Sequence, residues 1–152
     1  PIAITAVSGD ALQKAQAKDI RDLVGLTPNL QISSQWGRSA PSFFLRGIGV
    51  SDPFETATSS VAVYIDDVVI GAPAAQGGQF YDVDRVEVLR GPQGTLFGRN
   101  TTGGAVSITT KRPGPEQEGY IIGGIGNYGY KNVEGAATMP NKVLNDQSVS
   151  PV

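Results

Sequence analysis

The chain has 152 residues, of which 39% are hydrophobic and 7% aromatic, and its formal net charge is −2. This length provides one domain with a core of its own but not two large ones, and the small negative charge, without a long basic block, argues against non-specific nucleic-acid binding. The sequence contains no cysteine and no histidine, which excludes disulfides, thiolate nucleophiles and imidazole bases from these residues.

The first elements are predicted to be a strand and two short helical segments. Residues 2–7 alternate between two faces, which is typical of a strand. Ser8 or Asp10 can cap the helix that follows. Asp19 opens a second helical turn, in which the apolar side chains of 20–24 lie on one side at positions i, i+3 and i+4.

Short strands predominate in the middle of the chain. Residues 30–33 and 42–46 each predict a short strand, and residues 61–65 have the clearest two-residue period in the sequence. Asp66-Asp67 is predicted to be the turn of a hairpin that returns through residues 68–70. Short strands with few short helices favour an α+β fold over a doubly wound sheet.

The most informative segment is the glycine-rich run of residues 85–113. Val86 and Val88 point to one face of a predicted strand, which Gly91-Pro92 ends because proline lacks the N–H that a central strand needs. Four glycines between 94 and 104 indicate tight turns or close approach of the backbone to another group. A second strand over 105–110 returns, so the run predicts a compact hairpin-like module.

The character of the sequence changes after Pro113. Residues 114–118 are typical of a linker, and residues 119–139 alternate around a Gly-Asn-Tyr-Gly turn, as transmembrane β-barrel hairpins do. A barrel with a plugged lumen has about 22 strands, of which this chain would hold at most two. The abrupt start at Pro1 and the loss of periodicity after Asn141 lead us to expect a piece of a longer protein.

Separate segments of the chain resemble, in the right order, the plug domain of TonB-dependent outer-membrane transporters. The resemblance covers roughly residues 1–113 and implies a small mixed β-sheet domain with short helices. A linker and the first hairpin of an incomplete transmembrane β-barrel would then occupy residues 114–152. The segments that carry it are 1–9, 22–30, 44–49, 63–67 and the run 85–113.

The resemblance implies a transport function. In this family the plug lies inside its own β-barrel in the cell outer membrane, faces the periplasm, and rearranges when the energy-transducing TonB protein of the inner membrane pulls on it. The transported substrate is a scarce small-molecule nutrient such as a ferric siderophore. The alternative is a free-standing periplasmic module that binds a ligand or a protein partner. We expect no enzyme, catalytic residue, metal, cofactor or nucleic-acid partner.

Two arginines match family positions that form ion pairs with carboxylates on the barrel wall. They are Arg46, in a Leu-Arg-Gly segment, and Arg90, in the Leu-Arg-Gly-Pro segment. A guanidinium suits such a role because its planar fork matches a carboxylate and stays protonated. The alternative is that these arginines pair with Glu87 or Asp84 within the domain.

Three loops correspond to the outward-facing apices of the family's plug, which touch the substrate. They span residues 35–38, 50–55 and 71–76, and exposed loop groups on a rigid scaffold commonly bind ligands. The alternative is that they are solvated loop residues without a role. The candidates for substrate contact are Trp36, Arg38, Asp52, Phe54 and Gln76.

Motifs that suggest other functions are incomplete. Residues 124–129 spell G-x-G-x-x-G but are followed by further alternation rather than by the helix that a dinucleotide site needs. Residues 98–104 faintly resemble a phosphate loop but lack its lysine. The pairs Asp66/Asp67 and Asp82/Asp84 are interpreted as turn residues, since aspartate side chains hydrogen-bond their own backbone in turns.

Overall fold

The structure is a computed structural model that describes residues 3–34, 40–50, 59–112 and 118–138. The chain divides into two compact units, Pro1–Thr110 and Lys111–Val152. The strands of the described part are β1 Ala3–Ser8, β2 Leu30–Ser33, β3 Ser42–Leu45, β4 Ile48–Gly49, β5 Val61–Ile65, β6 Val68–Val69, β7 Val83–Arg90, β8 Gly104–Thr110, β9 Glu118–Ile125 and β10 Lys131–Thr138. The helices are α1 Gly9–Lys14 and α2 Gly94–Phe97, with 3-10 turns at Ile20–Gly25, Pro73–Gly77 and Asn127–Gly129.

The first unit is built on a five-stranded mixed sheet. Its strand order is β1-β7-β8-β5-β6, in which only the contact between β5 and β8 is parallel. The strands β2, β3 and β4 form a second, antiparallel sheet. A mixed sheet with few short helices was predicted from the sequence, and this prediction is confirmed.

The run 85–113 forms the centre of the main sheet. β7 pairs with β8 in antiparallel register from Val83 opposite Thr110 to Arg90 opposite Gly104, so the predicted hairpin-like module is confirmed. Val86 and Val88 are fully buried in the main core, whereas Leu89 packs on the opposite face. The alternation in the sequence therefore assigned the two faces of β7 correctly.

The main core lies on one face of this sheet. Fully buried valines of three strands meet there with Leu12 of α1, and with Ile20 and Leu23 of the first 3-10 turn. A smaller cluster covers the other face, where Phe97 packs against Ala62, Tyr64, Leu89 and Ala105. The domain thus covers one face of its sheet and part of the other with very little helix.

The predicted helix starts are confirmed, with one correction. Ser8 caps α1 by accepting a hydrogen bond from the Ala11 N–H at 3.3 Å. Asp19 caps the second segment and shares a capping box with Asp22. This segment is a 3-10 helix, and Val24 is 42% exposed rather than buried. Three residues per turn align only positions i and i+3, so position i+4 turns away from the core.

α2 was not predicted. The glycines around residues 94–97 were expected to mark tight turns or close approach of the backbone to another group. The amides of Leu96 and Phe97 both donate to the Gln93 carbonyl, at 3.1 and 2.8 Å, which starts the short helix. Phe97 then anchors it against the small cluster.

The second unit contains the hairpin predicted for residues 119–139. β9 and β10 pair in antiparallel register from Lys131 opposite Ile125 to Thr138 opposite Glu118. Large apolar side chains on one face are open to solvent, with Ile121 83%, Ile125 91% and Val133 78% exposed. Across the described ranges, no helix is both long and apolar enough to cross a membrane.

Candidate functional site

Arg90 lies at the end of β7, on the core face of the main sheet. One terminal nitrogen of its guanidinium, Nη2, donates a hydrogen bond to the Thr5 hydroxyl of the edge strand β1. The Nε–H is buried and has no hydrogen-bond partner among the described residues. A buried donor left without an acceptor costs about 1–3 kcal/mol, and the residue as a whole is half-buried.

Arg46 occupies the turn between β3 and β4 rather than the end of a strand. Its φ of 53° lies in the left-handed region, and its N–H donates to the Asn29 carbonyl at 3.0 Å. The side chain is exposed. The backbone is therefore fixed while the guanidinium stays accessible.

The two carboxylates considered as partners within the domain are engaged by a different arginine. Arg85 lies 3.1 Å from Asp84 and 3.6 Å from Glu87. In the part of the chain that the structure describes, neither Arg46 nor Arg90 forms an ion pair with them. Sequence reasoning did not consider Arg85, although it is the nearest basic residue to both acids.

The predicted substrate contacts fall mostly outside the described residues. This holds for Trp36, Arg38, Asp52 and Phe54. Gln76 is described and is 6% exposed, so its expected exposure is wrong. It belongs to the 3-10 turn Pro73–Gly77, which directs its Nε2 inwards to the Ile70 carbonyl at 2.8 Å.

A small cavity adjoins Gln76 below the core face of the sheet. Its volume is about 100 Å³, and its walls include Val63, Phe80 and Ile108. Ligand pockets usually measure about 300–1,000 Å³. The cavity is therefore too small for a nutrient of siderophore size.

The glycine-rich segment 91–104 contacts the sheet at Phe97 and Gly104, whereas residues 94–96 and 98–100 are exposed. The Tyr64 hydroxyl donates to the Phe97 carbonyl, and the two rings lie 5.1 Å apart at 60°. A Cβ on Gly104 would come within 2.2 Å of the Leu89 carbonyl oxygen. The sequence indicated close approach for these glycines, but the role of Tyr64 was missed. Its only signal was a tyrosine on the strand face that otherwise carries Ala62.

The comparison with known protein families decides the identity of this domain. Residues 1–105 match the family model described as TonB-dependent Receptor Plug Domain. The chain belongs to this family. The resemblance inferred from the sequence is thereby confirmed, and residues 1–105 include both arginines and the main sheet except most of β8.

Individual relatives are receptors and transporters rather than enzymes. The pesticin receptor of Yersinia pestis is 32% identical over 127 residues, which are 82% of this chain and 18% of that protein. The vitamin B12 transporter BtuB of Vibrio cholerae is 27% identical over 137 residues, or 86% of this chain and 21% of the transporter. The expectation that the plug belongs to a transport protein, not an enzyme, is confirmed for the family.

A solved structure shows the same fold. The crystal structure of the ferric yersiniabactin uptake receptor FyuA from Yersinia pestis matches with a TM-score of 0.79 and 30% identity, covering 87% of this chain and 20% of that one. The plug chain thus spans about a fifth of the length of the relatives that it matches.

Proposed function

We propose that this plug belongs to an outer-membrane receptor that takes up a scarce nutrient, with a ferric siderophore as the leading substrate class. The observation that carries the proposal is the match of residues 1–105 to the plug family, together with the likeness to a ferric yersiniabactin uptake receptor. In this role the plug occludes its own β-barrel, faces the periplasm, contributes to substrate binding and responds to TonB. Vitamin B12 is the second substrate class, because a B12 transporter is also among the relatives.

The two arginines support a contact between plug and barrel. Arg46 is exposed, and Arg90 is half-buried rather than enclosed in the plug. The nearby carboxylates of Asp84 and Glu87 already lie beside Arg85. Carboxylates on the barrel wall would satisfy both guanidinium groups, and arginine is suited to such interface pairs.

The hairpin of the second unit supports a barrel that begins within residues 114–152. Ile121, Ile125 and Val133 share one face, whereas the other face carries Tyr120, whose hydroxyl donates to Glu134 at 3.3 Å. Strands of a transmembrane barrel alternate in this way, with apolar side chains towards lipid and polar ones towards the lumen. On this proposal, residues 1–113 are the plug and the remainder is a linker and the first barrel strands.

The apical loops supply the proposed substrate contacts. Trp36, Arg38, Asp52 and Phe54 offer aromatic and charged groups, as binding loops on a rigid scaffold commonly do. Gln76 would join them only if its 3-10 turn opened, since its amide is held by the Ile70 carbonyl. Alanine replacement of Trp36 and Gln76 in the receptor is expected to weaken substrate binding at Trp36 more than at Gln76.

The ion pairs are tested by comparing the same variants in two contexts. Arg46→Ala and Arg90→Ala are made in the receptor that contains this plug and in the isolated chain, and plug unfolding by urea is followed in both. Losing a buried ion-pair partner costs about 3–5 kcal/mol, so both changes should destabilise the plug by more in the receptor than alone. Arg85→Ala is the control, because its partners lie within the plug, and it should have equal effects in both contexts. Equal effects for Arg90→Ala would contradict the barrel contact.

Localisation separates this proposal from a free-standing periplasmic module. The native protein should be recovered with the outer membrane, and deletion of residues 3–110 should admit large antibiotics that an occluded barrel keeps out. Recovery of the native protein in the soluble periplasmic fraction alone would favour the free-standing module.

A further inference from the structure

The side chain of Thr5 connects the edge strand β1 with Arg90. Ala3 lies opposite Arg90 and Thr5 lies opposite Val88 in the β1–β7 register. Thr5 and Arg90 are therefore diagonal neighbours on the same face of the sheet, a separation that long side chains can bridge. The Arg90 Nη2 does bridge it, by donating to the Thr5 hydroxyl.

The guanidinium is the part of Arg90 whose orientation is not already fixed by the sheet. The Arg90 backbone is fixed by its pairing with Ala3 and Gly104 in the sheet, and the next amide, Gly91 N–H, donates to the Gly103 carbonyl at 3.0 Å. Among the described residues, the Thr5 hydroxyl is the acceptor identified for the guanidinium. Threonine is well suited to hold it, because a β-branched side chain is stiff at χ1.

We infer that Thr5 is a positioning residue for Arg90, so that β1 pairing and the orientation of this guanidinium depend on each other. While β1 is paired, the hydroxyl holds one end of the fork and the Nε–H stays buried. When β1 leaves the sheet, both constraints are lost together and water reaches the guanidinium. β1 can leave without disturbing a second strand, because it is an edge strand whose sheet partner is β7.

The positioning role of Thr5 is independent of the proposed function. Only its effect on a contact between Arg90 and the barrel rests on that function. If Arg90 pairs with the barrel wall, displacement of β1 weakens that pair at the same time as it removes a strand from the plug. The link is reciprocal, as any coupling free energy is. A barrel carboxylate that holds Arg90 would therefore also hold β1 in the sheet.

The positioning role is tested on the 152-residue chain by ¹⁵N NMR of the arginine Nε–H groups. The Arg90 signal is assigned by its disappearance in Arg90→Lys. In Thr5→Val, which keeps a β-branched strand former but removes the acceptor, exchange of this proton with water should rise roughly tenfold or more, the factor for one lost hydrogen bond to a charged group. Thr5→Ser keeps the hydroxyl and should leave the exchange rate near that of the wild type.

A matched control and a reciprocal measurement complete the test. Thr109 lies opposite Arg85 in the β7–β8 register, so Thr109→Val makes the same chemical change beside a different arginine and should not affect Arg90. Conversely, Arg90→Lys should speed exchange of the β1 amides that bond to β7, while β5 stays protected. Unchanged Arg90 exchange in Thr5→Val, with β1 amides still protected, would overturn the inference. So would equal exchange in Thr5→Ser and Thr5→Val.

Comparing Thr5→Val and Arg90→Ala in the receptor and in the isolated chain distinguishes a failure of this inference from a failure of the proposed function. Thr5→Val in the receptor should lower the urea midpoint of the plug in the same direction as Arg90→Ala. If Thr5→Val changes Arg90 exchange in the isolated chain but Arg90→Ala has equal effects in both contexts, the positioning role is supported and the barrel contact fails. If the isolated chain shows no effect, the positioning role fails whatever the receptor does.

Discussion

At the scale of single residues, hydrogen bonds over long sequence distances hold the glycine-rich segment in place. Tyr64 lies on the face of β5 opposite the main core, and its hydroxyl reaches the Phe97 carbonyl at the end of α2. A four-residue helix is too short to be stable alone, so this bond and the tilted ring contact hold it. Asp66 acts similarly in its turn, where its two carboxylate oxygens accept from the Thr110 N–H and hydroxyl at 2.9 and 2.8 Å.

Tyr64→Phe isolates the contribution of that hydroxyl. The change keeps the ring contact but leaves the Phe97 carbonyl without its donor, so the free energy of unfolding should fall by about 1 kcal/mol. Urea denaturation followed by circular dichroism measures it. Tyr128→Phe is the control, because Tyr128 is fully exposed in the second unit and should leave stability unchanged. Equal midpoints for the two variants would show that the hydroxyl bond does not stabilise the fold.

At the scale of elements, the close approach of β7 and β8 depends on one glycine. Gly104 has a φ of +147°, and a Cβ there would lie 2.2 Å from the Leu89 carbonyl oxygen and 2.6 Å from Leu45 Cδ1. The first contact is with the backbone of the partner strand, which cannot move without breaking the ladder. Gly94, in the same segment, has open space where its Cβ would be. Two glycines that are equivalent in the sequence therefore have different structural roles.

Gly104→Ala and Gly94→Ala form a matched pair. Gly104→Ala should lower the free energy of unfolding by about 3 kcal/mol or more, since overpacking alone costs about 1–3 kcal/mol and the backbone conformation adds strain. Gly94→Ala should be neutral or stabilising by about 0.5 kcal/mol, because alanine is the better helix former. The measurement is the urea midpoint of each variant. Similar losses at both positions would show that the close approach at Gly104 is not the cause.

The difference between local sequence patterns and contacts made with other segments explains which elements the sequence could predict. The alternation in β5 and β7 is a local pattern with a period of two, so their faces were assigned correctly. α2 and the burial of Gln76 depend on groups supplied from elsewhere, the Tyr64 hydroxyl and the Ile70 carbonyl. No local pattern encodes such contacts. Arg90 was selected because of a family resemblance, and its contact with Thr5 could be found only from the strand register.

At the scale of the whole molecule, the two units differ in how they bury apolar side chains. The first unit covers one face of a five-stranded sheet and part of the other, and β7, β8 and β5 have a neighbour on each side. The second unit is a two-stranded hairpin with an exposed apolar face. A two-stranded sheet is marginally stable at best in water. On the proposed function, this apolar face meets a nonpolar surrounding instead of water.

Amide hydrogen exchange of the isolated chain should therefore separate the two units. In water, amides of β7, β8 and β5 should exchange slowly, those of the edge strand β1 faster, and those of β9 and β10 fastest, because local opening follows local burial. Mass spectrometry or NMR at fixed pH provides the rates. Detergent micelles should slow exchange in residues 119–138 and leave the main sheet unchanged, since Ile121, Ile125 and Val133 would then be covered.

Val133→Asn is a control for the effect of detergent micelles on exchange in the hairpin. Val133 lies opposite Gly123 on the apolar face, and a polar side chain there should reduce the slowing by micelles without altering exchange in β7. Thr138→Asn, on the other face of the same strand, should keep the slowing intact, because only the apolar face has to meet the hydrocarbon. Protection in β9 and β10 equal to that in β7 without detergent would contradict the prediction, since it would mean that the hairpin is stable without a nonpolar surrounding.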